Sequence, residues 1–260
     1  MSYLNYKALI VQKEGKLLVI KFHNPAKKNC LNRDGYGELT RALTEVNNDD
    51  EVTIVVITGV GEYFTAGNEL TPIHKINDVE AYIKESNDNF KKMVTSFINC
   101  NKLIFTLVNG PSIGIGTTIV ALSDVAWCAE EATFLTPFSR LGLVPEACSS
   151  FTFPLIMGRS KATEVLVLNE KLSAQEAYHF HFVSRIFKLS ELDSVVWPKI
   201  REYSELPPTS MRECKRLINF SLRESLKRVN DEECEALYKR FFDDEFIQAI
   251  MKFNTRKSKL

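Results

Sequence analysis

Two short runs of small residues are the parts of this sequence that could bind a negatively charged group. Residues 65–70 are Thr-Ala-Gly-Asn-Glu-Leu, and residues 112–117 are Ser-Ile-Gly-Ile-Gly-Thr. Glycines let a ligand approach the backbone closely, and a helix that begins at such a turn has unpaired backbone N–H groups. Such groups stabilise negative charge on an oxygen, whether it belongs to a phosphate or to an enolate.

The segments before these turns have the composition of buried strands. Residues 52–58 and 103–108 are rich in apolar and β-branched residues, as strands covered on both faces are. If the two strands are neighbours, both turns lie at the same end of a sheet, and two of their N–H groups form an oxyanion hole. The alternative is that the glycines only permit tight packing of strand and helix, which the 112–117 turn by itself favours.

Glu146 is the candidate acid or base. It lies between Pro145 and Ala147 in the apolar segment 141–150. Desolvation by such neighbours would raise the pKa of a carboxyl group into the range useful for a general base. A glutamate directly after a proline is also common at the start of a helix, where it faces water. The residues alone leave both interpretations open.

The composition excludes several classes of protein. The chain has 260 residues, enough for one large domain or for one domain and an appendage. Lys and Arg together number 33, as do Asp and Glu, so the total charge does not indicate nucleic-acid binding. Six cysteines without C-x-x-C spacing and four histidines without an H-E-x-x-H pattern predict no metal site and no disulfide framework. The cysteines are expected to be buried thiols in a reducing compartment.

The two ends of the chain differ in what they indicate. Residues 1–7 contain no apolar core and no arginine-rich run, so we expect no signal or transit peptide. No segment has the length of a transmembrane helix, and no further domain is visible ahead of Met1, although a longer parent chain could carry one. The last three residues, Ser258, Lys259 and Leu260, form a peroxisomal address. They predict a protein of the peroxisomal matrix that binds the import receptor.

Periodicity predicts an α/β first part and a helical second part. The predicted strands are 8–11, 17–22, 52–58, 103–108, 124–129, 133–135 and 183–187, and the predicted helices are 34–48, 79–98, 114–122, 151–157, 161–168, 174–180, 192–205, 210–222, 229–242 and 245–253. In the first half, strand–strand–helix units recur about every fifty residues, which favours a spiral of similar units over a doubly wound sheet. We divide the chain into a core at 1–200 and a C-terminal helical region at 201–260.

These motifs carry a resemblance to a known family. Residues 64–70 are similar to the signature F-x-x-G-x-D/E-L of the crotonase (enoyl-CoA hydratase/isomerase) superfamily, and residues 109–116 are similar to its second glycine motif. Both occur in the family's order and spacing, and the likeness extends from the loop at Asn24 and Pro25 through the C-terminal helices. Within the superfamily, segment 136–154 most resembles the peroxisomal Δ3,Δ2-enoyl-CoA isomerases.

The resemblance implies a fold and a site. The fold is an α/β, crotonase-like spiral of ββα repeats, with a C-terminal helical region that forms trimers or dimers of trimers. The oxyanion hole consists of the backbone N–H groups of Asn68 and Ile115, and Glu146 is the catalytic residue. The implied substrate-binding residues are Thr65, Ala66, Gly67, Asn68, Glu69, Gly114 and Phe138. No cofactor is implied, because coenzyme A is part of the acyl-CoA substrate.

The sequence departs from the hydratases of the family at two positions. Hydratases use two glutamates, whereas the corresponding positions here are Thr118 and Phe138. Since neither side chain can activate water as a carboxylate does, the resemblance implies isomerisation of a 3-enoyl-CoA to the trans-2-enoyl-CoA. Phe138 could exclude water from the site or be a core aromatic residue. Lys27, Lys28 and Lys257 could contact the phosphates of coenzyme A or be solvated surface residues.

Two groups of alternatives stay open. The same fold could catalyse another reaction, as a hydratase, a dienoyl-CoA isomerase or a thioesterase, although a dienoyl-CoA isomerase would need a further carboxylate. The chain could also be a non-catalytic acyl-CoA-binding or scaffold member of the fold. Glu146 and the two glycine turns speak against this second alternative.

Overall fold

The computed structural model describes residues 3–69 and 77–257, and for residues 253–257 it describes the backbone alone. The strands in this part of the chain are β1 (Leu9–Glu14), β2 (Leu17–Phe22), β3 (Ile54–Gly59), β4 (Leu103–Val108), β5 (Ser112–Ile113), β6 (Val125–Ala129), β7 (Thr133–Leu135), β8 (Leu172–Ser173) and β9 (Arg185–Phe187). The α-helices are α1 (Arg33–Glu45), α2 (Val79–Asn99), α3 (Ile115–Val120), α4 (Ser149–Leu166), α5 (Ala174–His179), α6 (Trp197–Ser204), α7 (Pro208–Ile218), α8 (Arg223–Arg240) and α9 (Asp244–Lys257).

The larger of two sheets has the strand order β1-β2-β3-β4-β6-β9. Its first two strands form an antiparallel hairpin, and all the other pairs are parallel. Side chains of alternate residues point to opposite faces of a strand. Leu18 and Ile20 pack on one face with Leu39 of α1, whereas Leu17 and Val19 pack on the other face. Because both faces are covered, these strands have nearly continuous apolar sequences.

The smaller sheet, of order β5-β7-β8, confirms the predicted spiral. The chain leaves the larger sheet after β4 and β6 and enters the smaller one as β5 and β7, which are parallel. One turn earlier, after β3, Thr65 forms a single parallel bridge to Ser112. Successive turns of the chain therefore stack in the same direction, as repeated units of a spiral do and as a doubly wound sheet does not.

Buried asparagines hold the ends of the parallel strands together. Asn109, just after β4, accepts a hydrogen bond from the Gly59 backbone N–H at 3.0 Å and donates one to the Gly61 carbonyl at 2.7 Å. Asn29 donates to the carbonyls of Val60 and Tyr63 at 2.8 and 2.7 Å. These bonds satisfy backbone groups that the sheet leaves unpaired, so they fix the segment that leads from β3 into the first glycine turn.

The second half of the chain is helical, as predicted, with local differences. The predicted helices at 151–157 and 161–168 correspond to the two parts of α4, which are separated by non-helical backbone at Gly158 (φ 77°, ψ 154°). The predicted helix at 192–205 begins with a π-helical turn at Leu192–Val196 before α6. The two-residue strands β5 and β8 were not predicted, because two residues are too few for a periodic pattern.

The cysteines differ in their exposure to solvent. Cys100, Cys128, Cys148 and Cys234 are buried, but Cys214 is exposed, so the prediction of buried thiols was wrong for Cys214. It lies on α7, a helix without fully buried side chains.

Over residues 3–69 and 77–257, none of the helices has the length and apolar composition that a bilayer span requires.

Candidate active site

The two glycine turns are in direct contact. The Ile113 N–H donates a hydrogen bond to the Thr65 carbonyl at 3.0 Å. A Cβ atom at Gly67 would lie 2.7 Å from the Ile113 carbonyl oxygen, and one at Gly116 would lie 2.3 Å from Cγ2 of Thr65. Both distances are too short for a side chain. These two glycines therefore permit close packing, as one of the interpretations from sequence required.

At Gly114 the reason for glycine is conformational. Its φ is 57° and its ψ is −122°, and nothing lies within 4 Å of the position that a Cβ would occupy. This combination of dihedral angles strongly favours glycine. The next residue, Ile115, is the first residue of α3, so its N–H has no acceptor within the helix.

Among the described residues, the backbone N–H groups of Asn68 and Ile115 have no hydrogen-bond acceptor. On either side of Asn68, the Gly67 carbonyl accepts from the Leu31 N–H and the Glu69 N–H donates to the Leu31 carbonyl, both at 2.8 Å. The Asn68 N–H points away from this pairing and has no acceptor among the described residues, and the same holds for Ile115. The two turns touch at Gly67 and Ile113, which precede Asn68 by one residue and Ile115 by two.

Side chains of the first turn support its backbone. Thr65 is fully buried, and its hydroxyl donates to the Asn29 carbonyl at 2.7 Å and accepts from the Gly67 N–H at 3.0 Å. Glu69 forms an ion pair with Lys27. Ala66 donates its N–H to the Lys28 carbonyl at 2.8 Å. The last residue of the sequence motif, Leu70, lies outside the described residues.

Glu146 precedes α4 by three residues, so it does not lie in the first turn of that helix. Its side chain is partly exposed, and its carboxylate accepts no hydrogen bond from the described residues. Burial, with a smaller contribution from the charge of Glu233, raises the pKa of Glu146 to about 8. A carboxyl group with these properties can take up and release a proton near neutral pH.

Tyr36 connects Glu146 with the first turn. The charge of Glu146 contributes to raising the pKa of the buried Tyr36 hydroxyl, after the larger effect of burial. Tyr36 lies in the first part of α1, which begins just after Leu31, the residue bridged to Asn68. The ring of Tyr36 packs edge-on against Phe90 of α2, with 5.8 Å between centroids. Glu146 therefore lies close enough to the first part of α1 for its charge to act on Tyr36.

The positions that are glutamates in hydratases are both buried and uncharged. Thr118 is fully buried, and its hydroxyl donates to the Ile115 carbonyl at 3.2 Å. Phe138 is also buried, in the same apolar cluster as Ile115 and Ala147. Its carbonyl accepts the Leu143 N–H at 2.8 Å, at the start of the loop that leads to Glu146. Neither position, 118 or 138, therefore provides a second carboxylate to act with Glu146.

The three lysines considered for phosphate binding differ in their surroundings. Lys27 pairs with Glu69, and Lys28 is exposed with its ammonium 4.9 Å from the ring centroid of Tyr63. The side chain of Lys257 and all of Ser258, Lys259 and Leu260 lie outside the described residues. Among the residues that are described, no group of three or more His, Cys, Asp or Glu side chains could hold a metal ion.

Sequence reasoning missed the residues of the C-terminal helices that contact the Glu146 loop. Glu233 of α8 accepts hydrogen bonds from the backbone N–H groups of Cys148 and Ser150. Arg240 of α8 donates to the Gly142 carbonyl at 2.8 Å. The only sequence signal was a glutamate on the apolar side of a predicted helix, next to Cys234 and four residues before Leu237.

Comparison with known proteins identifies the family. Residues 12–259 match the sequence profile of the family described as Enoyl-CoA hydratase/isomerase. The chain belongs to this family. A crystal structure of an enoyl-CoA hydratase/isomerase from Pseudoalteromonas atlantica has a TM-score of 0.86 to this chain, with 29% identity over 96% of this chain and 98% of the other. The family assignment agrees with the resemblance seen in the sequence motifs and with the observed spiral.

Two curated relatives in this enoyl-CoA hydratase/isomerase family are isomerases by name. Enoyl-CoA delta isomerase 2 of Rattus norvegicus is 41% identical over 255 residues, which are 98% of this chain and 65% of the relative. Enoyl-CoA delta isomerase 3, peroxisomal, of Mus musculus is 37% identical over 254 residues, which are 97% of this chain and 80% of the relative. The chain thus spans about two-thirds of the length of the rat protein.

The raised pKa of Glu146 predicts how stability depends on pH. Between the ordinary value of 4.5 and about 8, the folded chain keeps a proton that the unfolded chain has lost. Stability therefore decreases as pH rises through this window, and the full cost is present above about pH 8. We expect Glu146→Gln to unfold at a higher temperature than the parent protein at about pH 9, with a smaller difference at about pH 5.

Thermal unfolding followed by circular dichroism measures this difference. Glu131→Gln is the matched control, because Glu131 is exposed and the substitution removes the same charge. Equal unfolding temperatures of Glu146→Gln and the parent protein at both pH values would show that the carboxyl group has an ordinary pKa.

Proposed function

We propose that this protein is a Δ3,Δ2-enoyl-CoA isomerase, which moves a double bond from C3 to trans-C2 of an acyl-CoA during β-oxidation of unsaturated fatty acids. The observation that carries the proposal is Glu146, whose carboxyl group has a pKa of about 8 and accepts no hydrogen bond from the described residues. The Asn68 and Ile115 N–H groups, which have no acceptor among the described residues, support the proposal. The names of the rat and mouse relatives support the same activity.

In the proposed reaction, Asn68 and Ile115 donate hydrogen bonds to the thioester carbonyl oxygen of a 3-enoyl-CoA. Glu146 removes a proton from C2, and the electron pair moves onto that oxygen to give a dienolate. The two donors bind the developing negative charge more strongly than they bind the neutral carbonyl, which lowers the barrier. One such donor typically contributes about 2.7–4 kcal/mol.

Glu146 then returns the proton to C4. The carbonyl re-forms, the double bond lies between C2 and C3, and the carboxylate is regenerated. One base is sufficient because a carboxylate on one face of the planar dienolate can reach both C2 and C4. Buried Thr118 and Phe138 are consistent with isomerisation, because hydration would require a second group that activates water. Phe138 helps to keep water out of the site in this proposal.

In this proposal, lysines beside the first turn contact the phosphates of coenzyme A. Lys28 is exposed beside Tyr63, and its ammonium group is free to reach a phosphate. Lys27 would first have to leave Glu69. Lys257 is the third candidate, on sequence alone. The path of the thioester is lined by Ala66 and Gly67 of the first turn and by Gly114 of the second turn.

The peroxisomal matrix is the proposed location. Its support is the C-terminal Ser258-Lys259-Leu260 and the name of the mouse relative, which includes the word peroxisomal. A fluorescent protein fused to the N-terminus should colocalise with a peroxisomal marker. Removal of the three residues should leave it in the cytosol, and continued import would place the address elsewhere.

Assembly into trimers, or dimers of trimers, is part of the proposal. Large apolar side chains are exposed at the end of α7 and just after it, at Leu217, Ile218 and Phe220. Such a contiguous patch is typical of an interface between subunits. Light scattering should give a mass of three or six chains of 29.6 kDa, and the mass of one chain would contradict the proposed assembly.

The function is tested by incubating the purified protein with 3-hexenoyl-CoA and measuring the absorbance of the conjugated 2-enoyl thioester. We expect rapid conjugation by the parent protein and a loss of about 10²–10⁴-fold in kcat for Glu146→Gln, since a general base contributes about this much. Glu131→Gln is the matched control and should retain full activity.

Other outcomes of this assay distinguish the alternatives. Addition of water to 2-hexenoyl-CoA would indicate a hydratase. Tight binding of acyl-CoA without turnover would indicate a non-catalytic member of the fold. Full activity of Glu146→Gln would contradict the role of Glu146 and leave the isomerase activity itself in place.

Two glycines test the oxyanion hole. Gly67 and Gly61 both have positive φ angles, 87° and 76°, so alanine at either position costs roughly 1–2 kcal/mol of backbone strain. Only at Gly67 would the new Cβ meet the second turn, 2.7 Å from the Ile113 carbonyl, whereas Gly61 has open space. We therefore expect Gly67→Ala to reduce kcat by about 10²-fold, because displacement of catalytic groups by about 1 Å has this effect.

Steady-state kinetics of both variants with 3-hexenoyl-CoA make the comparison. Gly61→Ala should be destabilised to a similar extent and keep nearly the kcat of the parent protein. Equal losses of kcat in both variants would mean that strain, and not the separation of the two turns, limits the reaction.

A further inference from the structure

Glu233 is a buried carboxylate whose hydrogen bonds all go to the segment just after Glu146. One oxygen accepts the Cys148 N–H at 2.6 Å. The other accepts the Ser150 N–H at 2.9 Å and the Ser150 hydroxyl at 2.5 Å. The side chain is only 6% exposed, and no lysine, arginine or histidine in the described part of the chain pairs with it.

This segment needs an external acceptor. Ala147 and Cys148 both have left-handed backbone conformations, with φ angles of 54° and 61°, which are unfavourable for residues other than glycine. Cys148 is the residue before α4, and its side chain does not cap the helix. At this end of α4 the Ser149 N–H donates to the Glu146 carbonyl at 3.1 Å, and the Phe151 and Thr152 N–H groups donate to the Cys148 carbonyl. The N–H groups of Cys148 and Ser150 donate instead to Glu233.

Helix α8 holds Glu233 in a fixed place. Asn230 of α8 donates to the Lys91 carbonyl of α2 at 3.1 Å, and Asn87 of α2 donates to the Cys234 carbonyl at 3.1 Å. These bonds lie on both sides of Glu233 in the sequence. The carboxylate is thus attached to the α2–α8 pair, and the turn after Glu146 is attached to the carboxylate.

We propose that Glu233 is a positioning residue for Glu146, which it holds in place by fixing the two left-handed residues that follow Glu146. The direction of the Glu146 side chain depends on the backbone of this turn, since its own carboxylate accepts no hydrogen bond from the described residues. The inference rests on the proposed function, in which Glu146 is the base. It adds that the C-terminal helical region of the same chain forms part of the catalytic machinery.

The charge of Glu233 has a second effect on Glu146. The titratable groups that interact with Glu146 are Tyr36 from α1 and both Glu233 and Cys234 from α8. Burial raises the pKa of the Cys234 thiol to about 12 and that of the Tyr36 hydroxyl well above its usual value, so both are neutral in the physiological range. Glu233 is the other carboxyl group of this set. Burial raises its own pKa, against the effect of the hydrogen bonds from Ser150 and Cys148, and in its ionised form it disfavours ionisation of Glu146.

The test compares Glu233→Gln with Glu232→Gln. Glu232 is the neighbouring residue on α8 and is exposed, so its variant controls for loss of a charge from this helix. Glutamine at position 233 can still accept from Ser150, but its NH₂ group would face the Cys148 N–H. With 3-hexenoyl-CoA we expect kcat to fall about 10–100-fold, because Glu146 is misplaced, while KM changes little.

The pH profile separates positioning from stability. We expect the rising limb of kcat/KM against pH to move to lower pH in Glu233→Gln, because a negative charge near Glu146 is gone. The profile of Glu232→Gln should match that of the parent protein. A purely structural role would lower the unfolding temperature but leave kcat and the pH profile of the folded fraction unchanged, and this result would overturn the proposal.

Ser150→Ala provides the test if Glu233→Gln does not fold. It removes only the hydroxyl bond to Glu233 and leaves the backbone bonds in place. We expect a several-fold lower kcat at unchanged KM, and an unchanged kcat would overturn the proposal. If the parent protein is active and Glu146→Gln is not, unchanged kinetics of Glu233→Gln and Ser150→Ala reject only the role of Glu233. Absence of activity in the parent protein rejects the proposed function.

Discussion

The contact between the two glycine turns is the constraint on which the candidate site depends. Thr65 pairs with Ser112 as two strands of a parallel sheet do, and Gly67 lies against the Ile113 carbonyl with no room for a side chain. The contact requires β3 and β4 to be adjacent, the asparagines to fix the strand ends, and the chain to spiral. The backbone N–H groups of Asn68 and Ile115 then have no acceptor among the described residues, and in the proposed function they stabilise an oxyanion.

The carboxylate is positioned from the other end of the chain. Its turn is bound by Glu233 of α8, and Arg240 of the same helix binds the preceding loop at the Gly142 carbonyl. α8 itself packs on α2, which follows the first glycine turn in the sequence. The proposed active site therefore depends on the C-terminal helices within one chain, as well as on the spiral core. Any contribution of those helices to trimers would be additional to this role.

Much of the fold could be predicted from local sequence because the parallel strands are covered on both faces. Segments such as 52–58 therefore have apolar, branched residues at nearly every position. The start of α1 has an ordinary local signal, since the side chain of Asn32 caps the helix by accepting the Gly35 N–H at 2.9 Å. The two predicted helices at 151–157 and 161–168 agree with the two parts of α4 on either side of the non-helical Gly158.

The site could be predicted only in part, because its supports are distant in sequence. Glu146 stood out by its apolar neighbours, but Glu233 lies 85 residues from its partner Cys148, and no local pattern encodes that bond. The left-handed conformations of Ala147 and Cys148 were also invisible, since neither residue type favours them. The resemblance to the family supplied the two proposed oxyanion donors, because a role of backbone N–H groups leaves little trace in side-chain chemistry.

The most direct measurement of the central claim follows a labelled proton. The parent protein would be given 3-hexenoyl-CoA carrying deuterium at C2 in ordinary water, and the product of the first turnover would be analysed by mass spectrometry and NMR. A single carboxylate that moves the proton predicts trans-2-hexenoyl-CoA with part of the deuterium at C4. A product without deuterium at C4 would contradict the single-base mechanism, and 3-hydroxyhexanoyl-CoA as the product would contradict the isomerase function.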